Sequence, residues 1–452
     1  MLEVINPANE EVITALEPAT VAEADAAVSR AKAAFPKWRS VEPGDRVKML
    51  RRLAEALDTE RESLARLESK NTGKPINDAR CEMGMVAETF HYYAGMPERS
   101  LGDTIPVSGG VDFTFREPLG VVALIVPWNF PLTIASWKMA PALAAGNTVV
   151  LKPAELTPLT AVEFERIALE AGIPEGVVNV VAGPGSEVGQ RLAEHPDVAK
   201  VAFTGSTDVG RRVMEAASGT IKRVTLELGG KSANVVFADA DLEKAASSAP
   251  SAVFGNAGQD CCARSRILVE KNVFDEFMSL FESAVKNLRV GDPSSADAEM
   301  GPLISAGHRE KVASFVPDDA PVAMRGGAPS GAGFWFPPTV LAPVDNDDRA
   351  AREEIFGPVA AVIPFEDEAE AIRLANDTIY GLSGSVWTRD GAKALRVARA
   401  IETGVISINS NTSVRVATPF GGMKQSGVGR ELGPRALDHY TEVKNVYFAT
   451  ED

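Results

Sequence analysis

The stretch Gly120–Lys152, GVVALIVPWNFPLTIASWKMAPALAAGNTVVLK, decides the fold class of this chain. It opens on an uninterrupted run of β-forming residues, crosses a proline-framed turn, passes through an apolar segment that predicts a helix near 132–144, and closes on a second apolar run, NTVVLK. Strands that are apolar throughout, without polar alternation, are those buried on both faces, as in a parallel sheet covered by helices. Working outward, the same unit recurs: a helix from Pro158 to Ala171, VVNVVAG, a helix from Ser186, KVAFTG, a helix near Ser206, then RVTLEL. This rhythm predicts an α/β protein built on a parallel sheet. NVVF opens a second α/β region, continued by RILVE, a helix over 272–288 and the alternation around 357–409. Pro118–Trp137 carries no charge and is as long as a bilayer-spanning helix. Pro127, Asn129 and Pro131 would break such a helix at its midpoint, so no membrane segment is expected.

Upstream, Val47, Leu50, Leu53, Leu57, Leu64 and Leu67 recur at helical spacing and stop at Gly73 and Pro75, which predicts one amphipathic helix over 45–70. Around 98–118 glycine, proline and β-formers take over, and SGGVDFTFREP reads as a hairpin arm able to contact another subunit. Residues 318–338, rich in proline and glycine, read as surface loop. The 452 residues exceed one compact core and suggest two or three domains. With 46 basic against 62 acidic residues the formal charge is -16, which repels a phosphate backbone or an anionic membrane and argues against nucleic acid as a partner. Three cysteines make no disulfide framework and fit a reducing cytosol, hence a cytoplasmic protein. MLEVINPANEEV shows no basic segment followed by an apolar run, so no secretory leader is expected.

Two cysteines, Cys261 and Cys262, are adjacent in VFGNAGQDCCARSR, residues 253–266, behind a Gly-Gln pair that reads as flexible. Free cysteine is usually a small buried hydrophobe. The neighbours Gln259, Asp260, Arg264 and Ser265 would need partners in a core and favour an accessible thiol. FTGSTDVG, Phe203–Gly210, follows a strand and opens a helix, where backbone N–H groups and the helix dipole suit a phosphate. Gly205 and Gly210 do not match G-x-G-x-x-G, however, and a plain tight turn fits equally well. Lys152 and Glu155 lie at the carboxyl end of a parallel strand, where they suit ribose hydroxyls or form a solvated pair. Glu227 ends RVTLE ahead of two glycines; burial would raise its pKa and suit it to general-base work, unless it only bonds the glycine turn. Asn129, between two prolines, is a rigid amide donor for an oxyanion or a turn residue.

In this order PWNFP, KPAE, FTGSTDVG, LELGGKS, GQDC, EEIFGP and PFGGMKQSGVGREL resemble the NAD(P)-dependent aldehyde dehydrogenase superfamily across essentially the whole chain. The resemblance implies a Rossmann-like, parallel-sheet NAD-binding domain (1–97 and 120–228), a second α/β catalytic domain (229–428) and a small β oligomerisation arm (98–119 and 429–452). It makes Cys261 the nucleophile, Glu227 the base that activates the deacylating water, and Asn129 an oxyanion donor. Cofactor contacts are implied for Val126, Pro127 and Trp128, for Lys152 and Glu155 at the adenosine ribose, for Gly205 and Ser206 at the pyrophosphate, for Leu228 and Gly229, and for Glu354 and Phe356 at the nicotinamide side. Glu431 matches an acid that some members use in proton relay. The cofactor implied is NAD, because Glu155 would repel a 2′-phosphate, with NADP possible; no metal is implied. The acceptor implied is water rather than coenzyme A, because Glu227 is present. Intact Cys261, Glu227 and Asn129 likewise argue against a retired structural relative. The substrate is a small-molecule aldehyde and the assembly a homodimer or homotetramer. Phe130, Ile134, Trp137, Asp260, Cys262, Arg415 and Phe420 are the expected substrate contacts. Arg415 would favour a semialdehyde with a distal carboxylate and Asp260 an aminoaldehyde, with Arg264 the expected counter-ion of Asp260.

Overall fold

The computed structural model describes residues 1–450. Its first sheet has six strands in the order Gly427–Val428, Arg223–Glu227, Val198–Thr204, Val121–Ile125, Thr148–Lys152 and Val178–Val180, all parallel except the first. The residues of Val121–Ile125 part to two faces. Val121, Ala123 and Ile125 pack with Ala24, Ala27 and Val28 of the helix Val21–Arg39, while Val122 and Leu124 pack with Leu132, Met139 and Leu143 of the helix Pro131–Ala144. Cover on both faces is what the unbroken apolar run demanded.

A second, seven-stranded sheet runs Val322–Arg325, Thr339–Leu341, Val359–Phe365, Arg266–Glu270, Ala233–Val236, Ser383–Trp387 and Val405–Ile408, parallel but for its first strand. It has its own apolar core, built with the helices Leu242–Phe254 and Phe274–Lys286. The chain crosses between the sheets at 228–232, just beyond Glu227, and residues 427–428 return to pair with Glu227 and Leu226. A three-stranded antiparallel sheet stands apart from both: Thr104–Val107, Gly110–Pro118 and Thr441–Ala449. Phe115, Val443, Val446, Tyr447 and Phe448 on it are exposed. Among the described residues no helix is long and apolar enough to cross a membrane.

Three expectations are corrected. The single helix over 45–70 is two, Pro43–Thr59 and Arg61–Thr72, interrupted at Glu60, whose side chain and carbonyl both accept from Ser63 Oγ. Leu57 and Leu64 are buried on either side of the break and lie one heptad apart, so the apolar spacing runs on unchanged and hides it. The 318–338 loop contains the edge strand Val322–Arg325, paired with Thr339–Leu341, which the surrounding prolines and glycines mask. The C-terminal arm begins at Thr441: Ala436, Leu437 and Tyr440 before it are buried in the main body.

Candidate active site

Four predicted groups share the carboxyl edge of the six-stranded sheet. The loop 126–130 leaves Val121–Ile125, Lys152 closes Thr148–Lys152, Gly205 follows Val198–Thr204, and Glu227 closes Arg223–Glu227. The chain order reverses between Val121–Ile125 and Val198–Thr204, and the crevice beyond such a reversal is where open α/β sheets bind ligands.

The cysteines enter from the second sheet. After the helix Leu242–Phe254 the backbone turns through Asn256 (φ 50) and Ala257 (φ 55), both in the left-handed region, which side chains with a Cβ adopt only at a cost of ~1–3 kcal/mol. Hydrogen bonds offset that cost. Asn256 Nδ2 donates to the Asn129 carbonyl (3.0 Å), Asn129 Nδ2 to the Gln259 carbonyl (2.9 Å), Gln259 Nε2 to the Asn256 carbonyl (3.0 Å), and Gln259 Oε1 accepts from Ile304 N (2.9 Å). A Cβ on Gly258 would meet the Gly357 carbonyl oxygen at 2.2 Å, so only glycine fits there. The Gly-Gln pair is therefore clamped rather than flexible. Asn129 is buried, and one proton of its amide holds the cysteine loop, leaving the other for an oxyanion.

Cys261, half-buried, faces a cavity of about 290 Å³ lined by Phe130, Ile134, Trp137, Asp260, Cys262 and Phe420, all expected substrate contacts. Trp137 and Phe420 meet edge to face at 5.3 Å. The side-chain donor atoms of Asp260, Cys261 and Cys262 lie within 4.8 Å of one another, and Asp260 Oδ1 accepts from Cys262 N (2.8 Å). Cys262 beside it, burial and the Asp260 charge push the Cys261 thiol well above its usual range. Glu227 lines the same cavity, 4 % exposed, with neither carboxylate oxygen hydrogen-bonded. Desolvation, then the Glu431 charge, raise its pKa strongly. Burial that disfavours its charged form makes the Glu227 carboxylate a stronger proton acceptor once it is ionised.

On the opposite side of the cysteine loop, Glu354 Oε1 accepts from Gly230 N (2.9 Å) and burial raises its pKa to about 7. A Cβ on Gly229 would come 2.4 Å from Glu354 Oε2, so glycine is what lets the carboxylate lie against the backbone. Phe356 (φ 59) stands edge-on to Trp128 at 5.3 Å, and its carbonyl bonds His308 Nε2 at 2.7 Å. Lys152 is buried and Glu155 Oε1 accepts from Gly185 N (2.9 Å). A Cβ on Gly185 would sit 3.7 Å from Lys152 Nζ and 3.9 Å from Glu155 Oε1, so the three converge on one spot. Ser206 caps the helix Thr207–Ser218 by accepting from Val209 N. Val126 is buried and Pro127 half-buried; Val126 N bonds the Lys152 carbonyl at 3.1 Å and ties two of the loops together. The Leu228 N–H likewise bonds the Ser426 carbonyl (2.8 Å).

One expectation fails: Arg415 is exposed and lies outside the cavity lining, which takes Thr412, Ser413 and Val414 from that segment instead. Arg264 does act on Asp260 through its charge, lowering its pKa against burial, but without a hydrogen bond: its guanidinium donates to Ser385 Oγ, Ser413 Oγ and the Cys262 and Gly384 carbonyls.

A model of the aldehyde dehydrogenase family matches residues 1–446. The chain belongs to that family. It is an aldehyde-oxidising enzyme. The dehydrogenase is 44% identical over 460 residues to a betaine aldehyde dehydrogenase of Bacillus subtilis (strain 168), covering 99% of this chain and 94% of that one. It superposes on the crystal structure of a putative aldehyde dehydrogenase from Burkholderia cenocepacia with a TM-score of 0.97 at 45% identity, over 99% and 94% of the two chains. It also superposes on a betaine aldehyde dehydrogenase from Staphylococcus aureus solved in complex with NAD+, with a TM-score of 0.97 at 40% identity, over 100% and 92%.

The dehydrogenase's cavity also holds groups that sequence reading passed over. Lys138 is fully buried and ion-paired with Glu431, which lines the cavity. It is the one charged residue in the helix Pro131–Ala144, and that isolation was the available signal. Glu82, paired with the buried Lys74, also lines the cavity, and burial raises its pKa to about 7.

Proposed function

We propose that this dehydrogenase oxidises an aldehyde carrying a distal amino or ammonium group to the carboxylic acid, with NAD as hydride acceptor and water as acyl acceptor. The observation that carries the substrate class is the lining of the Cys261 cavity, where the carboxyls of Glu82, Glu227, Asp260 and Glu431 face one basic residue, Arg264, and Arg415 does not stand; even with Lys74 on Glu82 and Lys138 on Glu431 the acidic groups prevail. Carboxylates in a low-dielectric pocket attract a cation and repel the second carboxylate of a dicarboxylic semialdehyde. The 44% identity to a betaine aldehyde dehydrogenase supports the same class.

In this reading the Cys261 thiolate adds to the aldehyde carbon. The oxygen that gains charge is met by the remaining Asn129 amide proton. NAD, when bound, supplies the hydride acceptor, which turns the adduct on Cys261 into a thioester. Glu227, with no hydrogen bond of its own to break, takes a proton from water as that water attacks the thioester. Glu431, held by Lys138, stands where the proton can be passed on.

The residues fit NAD. Lys152 and Glu155 converge with Gly185 on a spot suited to ribose hydroxyls, and the Glu155 carboxylate repels a 2′-phosphate, which favours NAD over NADP. Val126, Pro127 and Trp128 form one wall, Gly205 and Ser206 the phosphate turn, and Leu228, Gly229, Glu354 and Phe356 the nicotinamide side. In domain terms, 1–97 with 120–228 hold the cofactor and 229–428 the nucleophile. The exposed apolar residues of the three-stranded sheet favour a homodimer or homotetramer joined through it. Free cysteines suit the cytoplasm.

The test compares kcat/KM, from reduced-nicotinamide absorbance, for 4-aminobutyraldehyde, betaine aldehyde, butyraldehyde and succinate semialdehyde. The cationic aldehydes are expected to exceed the neutral one by ~10-fold or more, with the anionic one last. Equal values, or a preference for succinate semialdehyde, would overturn the substrate class.

A further inference from the structure

Arg264 carries a buried charge that no carboxylate hydrogen-bonds, although the Asp260 charge is felt nearby. Its guanidinium is 2 % exposed, yet the acceptors of its hydrogen bonds are neutral oxygens: Ser385 Oγ at 3.0 Å, Ser413 Oγ at 2.6 Å and the backbone carbonyls of Cys262, Gly384 and Asn411. Guanidinium does not shed its proton in a protein, so this is a permanent buried cation. Burying a charge without bonding an opposite one is costly, so such a residue is kept only where its charge is used. Arg264 is also the one basic residue among those lining the cavity, on whose wall Glu82, Glu227, Asp260 and Glu431 stand. Two other buried cations beside the cavity are engaged by carboxylates, Lys74 by Glu82 and Lys138 by Glu431.

We propose that Arg264 is a positioning residue for the nucleophile: the anion its charge answers is the Cys261 thiolate made during turnover, and its neutral bonds fasten the cysteine loop to the 411–413 wall of the substrate cavity. This rests on the reading of Cys261 as nucleophile. The remaining groups facing the thiol work against ionisation, namely Cys262, Asp260 and Glu354, together with burial. Arg264 is the group of opposite sign that interacts with Cys261, Cys262 and Asp260 at once. An opposite charge beside a thiol favours its ionised form and so acts against that opposition. Ser413 Oγ and the Asn411 carbonyl belong to the segment that lines the cavity across from the loop, so one side chain couples thiolate formation to the shape of the substrate wall.

The two parts are separable. Alkylation of Cys261 by iodoacetamide, a neutral reagent, is followed against pH in the full-length enzyme. Fragment-resolved peptide mass spectrometry distinguishes Cys261 from Cys262 and Cys81, and thermal melts and NAD binding report folding. R264M is expected to move the alkylation midpoint up by about one unit, so that the rate at pH 7 falls ~10-fold. R264K, which keeps the charge but not the planar fork, is expected to stay within ~3-fold of wild type in alkylation while KM rises. S413A, which loosens the tether and spares the charge, should leave the midpoint alone and raise KM. A wild-type midpoint in folded R264M, or a midpoint in R264K shifted by about one unit, overturns the electrostatic role; if R264M does not fold, R264K decides. An unchanged KM in both R264K and S413A overturns the tether. The nucleophile assignment is checked separately, since C261A that still oxidises aldehyde would sink that reading whatever the alkylation midpoint.

Discussion

The cysteine loop and the Glu227 side of the same cavity are built on opposite terms. Around Cys261 each side-chain amide of the loop is tied down: Asn256, Gln259 and Asn129 bond one another or nearby backbone, and Arg264 stitches the loop to the facing wall. At Glu227 both carboxylate oxygens go without a partner, as does Glu431 Oε2. Saturated hydrogen bonding fixes a position, whereas an unsatisfied buried carboxylate stores proton affinity. The site therefore spends its rigidity on where the sulfur stands and leaves its proton acceptor poised.

The severest test of that contrast is removal of the sulfur. Cys261→Ala should lower the oxidation rate ~10⁴-fold or more while leaving NAD affinity within ~2-fold, measured by fluorescence titration. Next, Glu227→Gln should slow the steady state ~10²–10³-fold but preserve a single-turnover burst of reduced nicotinamide, because its work falls after hydride loss. No burst in stopped flow would mean Glu227 is needed earlier. Loosening the rigid half should hurt less. Asn256→Ala removes the donor to the Asn129 carbonyl and the second donor to the Gln259 carbonyl, which Asn129 still serves, and should cost ~10-fold in kcat, with ~1–3 kcal/mol of stability from the unpaired Asn129 carbonyl, read by urea titration.

The smallest effect concerns pH. The Glu431 charge raises the Glu227 pKa and Lys138 lowers it. Glu431→Gln removes the raising influence and frees Lys138, so both changes act downward. Glu227 must be ionised to accept a proton, so its acid limb in kcat should move to lower pH. An acid limb that stays put would separate Glu431 from Glu227.

Much of this was legible because it is local. The apolar runs of Gly120–Lys152 alternate between two covered faces, and a strand buried on both sides has to be written that way. Glu227 announced itself as a carboxylate ending an apolar strand. What escaped was set by pairings distant in the chain. Lys138 and Glu82 acquire meaning only against Glu431 and Lys74. Arg264 was legible as a counter-ion of Asp260 because they are near in sequence, but the Ser385 and Ser413 hydroxyls that its guanidinium bonds lie far along the chain. The break at Glu60 left no trace in the leucine spacing, since apolar periodicity reports which face is buried and not whether the helix axis continues. Arg415, three residues from Thr412 in the cavity wall, turns outward on a segment without regular structure, where spacing assigns no direction.

The two-residue strand Gly427–Val428 bears on how the enzyme is made. It closes the edge of the six-stranded sheet against Leu226 and Glu227, and every strand of the seven-stranded sheet lies between the two partners in the chain. On the ribosome the edge Arg223–Glu227 emerges early and stays open until the whole second sheet has been synthesised. That open edge is available to any other extended segment in the meantime. The same arrangement means that Glu227, the base proposed for thioester hydrolysis, gains its edge neighbour only after every strand of the second sheet has been made.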